Sequence, residues 1–109
     1  MKKRALFIDR DGTLIVEPPI TEQVDNLEQL EFLPGVIRNL YFIVNKLNFE
    51  LVIVTNQDGL GTDKYPQANF DSVQNKMLQI FENEGIKFDN VLIDKSYPDT
   101  SIKFYCVEF

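Results

Sequence analysis

The chain has 109 residues, is 44% hydrophobic and carries a net charge of −6. That length fits one small domain, and the charge, with no basic block, disfavours nucleic-acid binding through phosphate contacts. The absence of histidine rules out a Ser-His or Cys-His dyad within the chain, and the single cysteine, Cys106, excludes an internal disulfide and a cysteine-built zinc cage. A lone cysteine, no membrane-length apolar run and no signal-peptide h-region lead to the expectation of a cytoplasmic protein without a membrane partner.

Ala5 to Ile8 read as a buried strand, closed by Asp9-Arg10-Asp11-Gly12-Thr13. Residues two apart on an extended backbone point the same way, so Asp9 and Asp11 leave the strand end side by side. Two carboxylates this close repel, and a bound cation such as magnesium would relieve them. A strand followed by an ordinary Asp-Gly turn is the simpler reading of these residues alone. A calcium loop is excluded, because Leu14 and Ile20 stand where it needs Gly and Glu.

Ile15 to Glu31 is a long connection in which Glu17-Pro18-Pro19 cannot be helical. It is either a lid or binding loop or an ordinary surface loop, with Leu27, Leu30 and Phe32 expected on the core. Pro34 is placed to open a helix carrying Val36, Leu40, Ile43 and Leu47 on one face, widened by Tyr41 and Phe42 and ended by Asn48. Leu51 to Val54 form a second buried strand, which runs into the polar, glycine-bearing loop Thr55 to Thr62. Asn69 is expected to cap a second helix, with Phe70, Val73, Met77, Ile80 and Phe81 inward and Gly85 at its end. Val91 to Ile93 form a third strand ending at Asp94. Alternating strands and helices imply an α/β fold, a three-layer sandwich around a parallel sheet.

Ligands of such sheets sit beyond the carboxyl ends of the strands. Those ends carry Asp9 and Asp11, Thr55 and Asn56, and Asp94. A carboxylate at Asp9 can attack a phosphoryl group and form an aspartyl-phosphate. Asp11 can give a proton to the leaving oxygen and later take one from water. Thr55 and Asn56 supply donors for the phosphoryl oxygens, and a magnesium ion would neutralise carboxylates and phosphate together.

Asp9-Arg10-Asp11-Gly12-Thr13 resembles the first motif of the haloacid-dehalogenase superfamily of phosphatases, and Val54-Thr55-Asn56-Gln57 its second. Glu17-Pro18-Pro19, Pro34-Gly35-Val36-Ile37 and Asp58-Gly59-Leu60-Gly61-Thr62 are more specific. They look like the histidinol-phosphate phosphatase domain, the N-terminal part of the bifunctional histidine-biosynthesis enzymes. The resemblance covers residues 4 to about 98. It implies a Rossmann-like fold and a magnesium-dependent phosphomonoesterase acting on a small phosphate ester. Asp9 would be nucleophile and magnesium ligand. Asp11 would be acid/base and a ligand through its backbone carbonyl. Thr55 and Asn56 would bind the phosphoryl group, with Glu17 and Gln57 near the amino-alcohol end of the substrate. Glu17 is suited to pair with a cationic amine.

The chain also departs from that pattern. Asp94-Lys95-Ser96-Tyr97-Pro98-Asp99 lacks the Cys and His of the zinc loop that some members carry, so no zinc is expected. Lys103, followed by Phe104, does not match the family's Arg-Lys-Pro segment, and its later acidic magnesium ligands have no counterpart. The expectation is therefore a single domain, incomplete at the C-terminus, with an atypical tail at 99–109. Within it, Ile102 to Phe109 are expected to be either a frame-shifted or natural truncation, or an extra strand on an open sheet edge that would favour self-association. Two function classes follow: a working phosphatase, or a catalytically impaired remnant or partner domain. A heptose-bisphosphate-type specificity is a lesser alternative.

Overall fold

The computed structural model describes residues 4–95. Its order is β1 (Arg4–Ile8), a single 3₁₀ turn (Leu27–Gln29), α1 (Val36–Lys46), β2 (Phe49–Asn56), α2 (Gln67–Asn83) and β3 (Asn90–Asp94). The strands are parallel in the order β1-β2-β3, with Ile8 opposite Ile53 and Asn56 opposite Asp94. All three therefore end on one edge of the sheet. The tail, with Cys106 and Lys103, lies outside the described residues.

Both crossovers step the same way across the sheet, and right-handed connections then place both helices on one face. Leu40 of α1 and Val73, Met77 and Phe81 of α2 share a core with Ile8, Leu51 and Ile53. Phe81 is fully buried and meets Phe32 and Phe88 edge-on, at 5.0 and 5.2 Å between ring centres. The other sheet face carries Phe7, 60% exposed, and Leu92, and no described helix covers it. Two of the three expected layers are thus present among the described residues.

Helix boundaries differ from the sequence reading in three places. Pro34 does not open α1; Gly35 takes a left-handed conformation (φ +79°), and the helix begins after it. Asn69 does not cap α2; Pro66 does, its carbonyl accepting from the backbone N–H groups of Asn69 and Phe70. Asn48 does end α1, from a left-handed φ of +56°. Tyr41 and Phe42 do not widen the buried face: both are more than half exposed, as is Leu27. At 100° per residue, positions 41 and 42 rotate away from the stripe set by Leu40 and Ile43.

The 16–31 connection is an ordered loop. Val16 N–H donates to Glu31 O at 2.7 Å and Leu33 N–H to Leu14 O at 3.1 Å, which closes its two ends together. Val24, fully buried, anchors its middle in the core, and Asn26 caps the 3₁₀ turn through its side chain.

Candidate active site

The loop after β1 is wound tightly over one carbonyl. Arg10 O accepts from the N–H groups of Thr13, Leu14 and Ile15 at 3.3, 2.8 and 3.2 Å. Gly12 sits at φ +82°, a conformation that costs a residue with a Cβ, so the turn needs glycine. This winding buries Leu14 and Ile15 and leaves Asp9 and Asp11 facing the strand-end edge.

There they line a polar cavity of about 390 Å³. Glu17, Thr21, Glu22 and Gln23 of the 16–31 loop line it from one side, and Asn56, Gln57, Asp58 and Tyr65 from the β2–α2 side. The long loop is therefore both ordered and part of the site. A larger cavity, about 550 Å³ and lined chiefly by Phe32, Ile37, Arg38 and Tyr41, shares no residue with it.

The site residues expected from sequence fall into two depths. Asp9, Asp11, Glu17, Asn56 and Gln57 line the cavity. Thr55 lies just behind, buried, and its Oγ1 accepts from Gln57 Nε2 at 2.6 Å. With that lone pair engaged, Thr55 keeps its hydroxyl proton as a donor. The Gln57 side chain is turned inward: it is 3% exposed, its Nε2 also donates to Asp11 Oδ2 at 2.9 Å, and its Oε1 accepts from the Tyr65 hydroxyl at 3.0 Å. Asp94 contributes its backbone carbonyl, which accepts from Gln57 N–H at 2.8 Å and pins the loop to β3.

Charge is concentrated here. Burial raises the pKa of Asp9 above its usual carboxylate value, and the Asp11 charge raises it further, against a 2.9 Å hydrogen bond from Arg10 N–H that lowers it. Glu17 is raised too, by burial first and then by Asp11, Glu22 and Asp9. Asp9 and Asp11 suit a magnesium ion, which is held by one or two carboxylates together with substrate phosphate and water. Among the described residues, no group of three or more His, Cys, Asp or Glu could hold a metal by protein ligands alone.

Sequence reasoning missed the group beneath the site. Arg10 is fully buried: its Nε donates to Asp11 Oδ1 at 2.8 Å, its Nη1 to Gln74 Oε1 at 3.0 Å, and its guanidinium lies 4.8 Å from the centre of the Phe70 ring. An arginine between two aspartates reads as solvated in sequence. The one available signal was Gln74, a polar residue on the buried stripe of α2.

No family model matches the chain. The histidine biosynthesis bifunctional protein HisB of Bacteroides fragilis is 59% identical over 99 residues, 91% of this chain. That of Baumannia cicadellinicola is 54% identical over 93 residues, 85% of this chain. In both cases the chain spans 26% of the relative's length. Among solved structures, the D,D-heptose 1,7-bisphosphate phosphatase of B. bronchiseptica, complexed with magnesium and phosphate, superposes with a TM-score of 0.77 at 21% identity. That match covers 91% of this chain and 54% of the phosphatase. Over most of its length, then, the chain is similar in sequence to about a quarter of the bifunctional histidine-biosynthesis proteins, and its fold is also that of a had-like phosphatase from Mesorhizobium loti, with a TM-score of 0.71 at 26% identity over 87% of this chain and 44% of that one.

Proposed function

We propose that the chain carries the phosphatase site of a histidinol-phosphate phosphatase and hydrolyses a phosphate monoester through an aspartyl-phosphate on Asp9. The observation that carries this reading is the shared cavity, in which Asp9 and Asp11 face Asn56 across the carboxyl ends of β1 and β2. The similarity to bifunctional histidine-biosynthesis proteins supports the substrate, and the fold neighbour complexed with magnesium and phosphate supports the class of ion and ester.

In this reading the carboxylate of Asp9 attacks phosphorus and the bond to the ester oxygen breaks. Asp11 gives its proton to that leaving oxygen, then takes one from the water that cleaves the acyl-phosphate. The Thr55 hydroxyl and Asn56 hold phosphoryl oxygens. Glu17, with Glu22 beside it on the cavity wall, faces the amine of the substrate. Magnesium bound at Asp9 and the Asp11 carbonyl would offset the negative charge of carboxylates and phosphate. A cytoplasmic setting belongs to the same proposal and is supported by a cysteine count of one.

Specificity is tested by comparing turnover of histidinol phosphate with that of a heptose bisphosphate. Higher kcat/KM for histidinol phosphate, lost selectively in Glu17→Gln, supports the assignment. Preference for the heptose bisphosphate would replace it with the sugar-phosphatase reading.

A further inference from the structure

The polar groups behind the cavity form one connected set that ends on Asp11. Its Oδ1 accepts from Arg10 Nε at 2.8 Å and its Oδ2 from Gln57 Nε2 at 2.9 Å. The two donors come from different segments, the β1 loop and the β2–α2 loop, so the carboxyl is gripped from both sides and its rotation is restrained. Each donor is itself held. Arg10 is fixed by Gln74 and the Phe70 ring, both on α2. Gln57 is fixed by Tyr65, whose hydroxyl donates to Gln57 Oε1 at 3.0 Å. That bond sets which end of the amide faces Asp11. All three side chains are almost fully buried, at 0, 3 and 2% exposure for Arg10, Gln57 and Tyr65.

We propose that Gln57 is a positioning residue and not a substrate ligand: oriented by Tyr65, it aims the Asp11 carboxyl from one side while Arg10 aims it from the other. The proposal rests on Asp11 acting as the proton donor of the reading above. It departs from the substrate contact expected of Gln57 from sequence, because both polar atoms of its amide are already engaged with protein groups. A proton donor misplaced by a fraction of an ångström loses rate while binding is unchanged, since the misplacement matters only where the proton moves.

The test uses Gln57→Met, which keeps the length of the side chain and removes both polar atoms, and Tyr65→Phe, which removes one hydroxyl. With histidinol phosphate and magnesium, we expect kcat to fall about 10–100-fold in Gln57→Met and several-fold in Tyr65→Phe, with KM within about twofold. A KM raised about tenfold at unchanged kcat in Gln57→Met would overturn the proposal and make Gln57 a substrate contact. A second readout needs no turnover. In the 109-residue chain, the Gln57 side-chain amide should exchange its protons at least about tenfold more slowly than that of exposed Gln79, and faster again in Tyr65→Phe. Exchange as fast as Gln79 would overturn the grip on Asp11. If the wild-type chain releases no phosphate, the catalytic reading fails and the positioning role fails with it, while slow Gln57 amide exchange still reports that the side chain is held by Asp11, Thr55 and Tyr65.

Discussion

At Asp9 the proposed function and stability oppose each other. Its folded-state pKa lies above the unfolded value because burial and Asp11 disfavour the charged form. A raised carboxylate pKa contributes stability that is fully present below the unfolded value, near 3.8, and is lost as pH rises through the folded value. At neutral pH the ionised Asp9 is therefore a net cost. Asp9→Asn should melt higher than wild type at pH 7 in EDTA, and the difference should vanish as the pH falls below 3.8. Thermal scans across that range check it; equal melting temperatures at pH 7 would contradict the burial argument. Arg10 runs the other way. It is fully buried against an Asp11 side chain only 12% exposed, and removing one partner of such a pair leaves a charge uncompensated. Arg10→Met should cost about 3 kcal/mol by urea unfolding, enough to threaten a small domain whose total stability is about 5–15 kcal/mol. A loss under about 1 kcal/mol would show that the pair is solvent-screened.

At the scale of elements, the core is built by α2 and the strands, with α1 attached through a narrower stripe. Phe81 touches two aromatic rings and is fully buried, whereas Phe42 on α1 is 54% exposed. Phe81→Ala should cost about 3–5 kcal/mol and Phe42→Ala less than about 0.5 kcal/mol. Comparable losses in denaturant titrations would place α1 deeper than described. The contrast also shows what the sequence made legible. Strands were readable because buried parallel strands are continuous apolar runs, and the edge on which they end followed from their alternation with helices. Asp9, Asp11, Asn56 and Gln57 reach one cavity for that reason, and Glu17 joins them from the 16–31 loop. Helix starts were less legible, because Pro66 and Gly35 set them through backbone conformation and Asn69 carried a misleading capping signal. The buried Arg10–Gln74 contact spans 64 positions, and no local pattern announces such a pairing.

At the scale of the whole molecule, the described residues form a half-covered sheet. Both helices lie on one face and the site opens at the strand-end edge, where the 16–31 loop completes its wall. The groups proposed for catalysis are carried by β1, β2 and the loops that follow them, and Asp11 links those two loops through Arg10 and Gln57. The central claim is that this arrangement performs phosphoryl transfer. It is tested most directly by phosphate release from histidinol phosphate, with magnesium and with EDTA, by the wild-type chain beside Asp9→Asn. The account predicts release that requires magnesium and disappears in Asp9→Asn while that variant remains folded. No release from a folded wild-type chain, or equal release from Asp9→Asn, would contradict it.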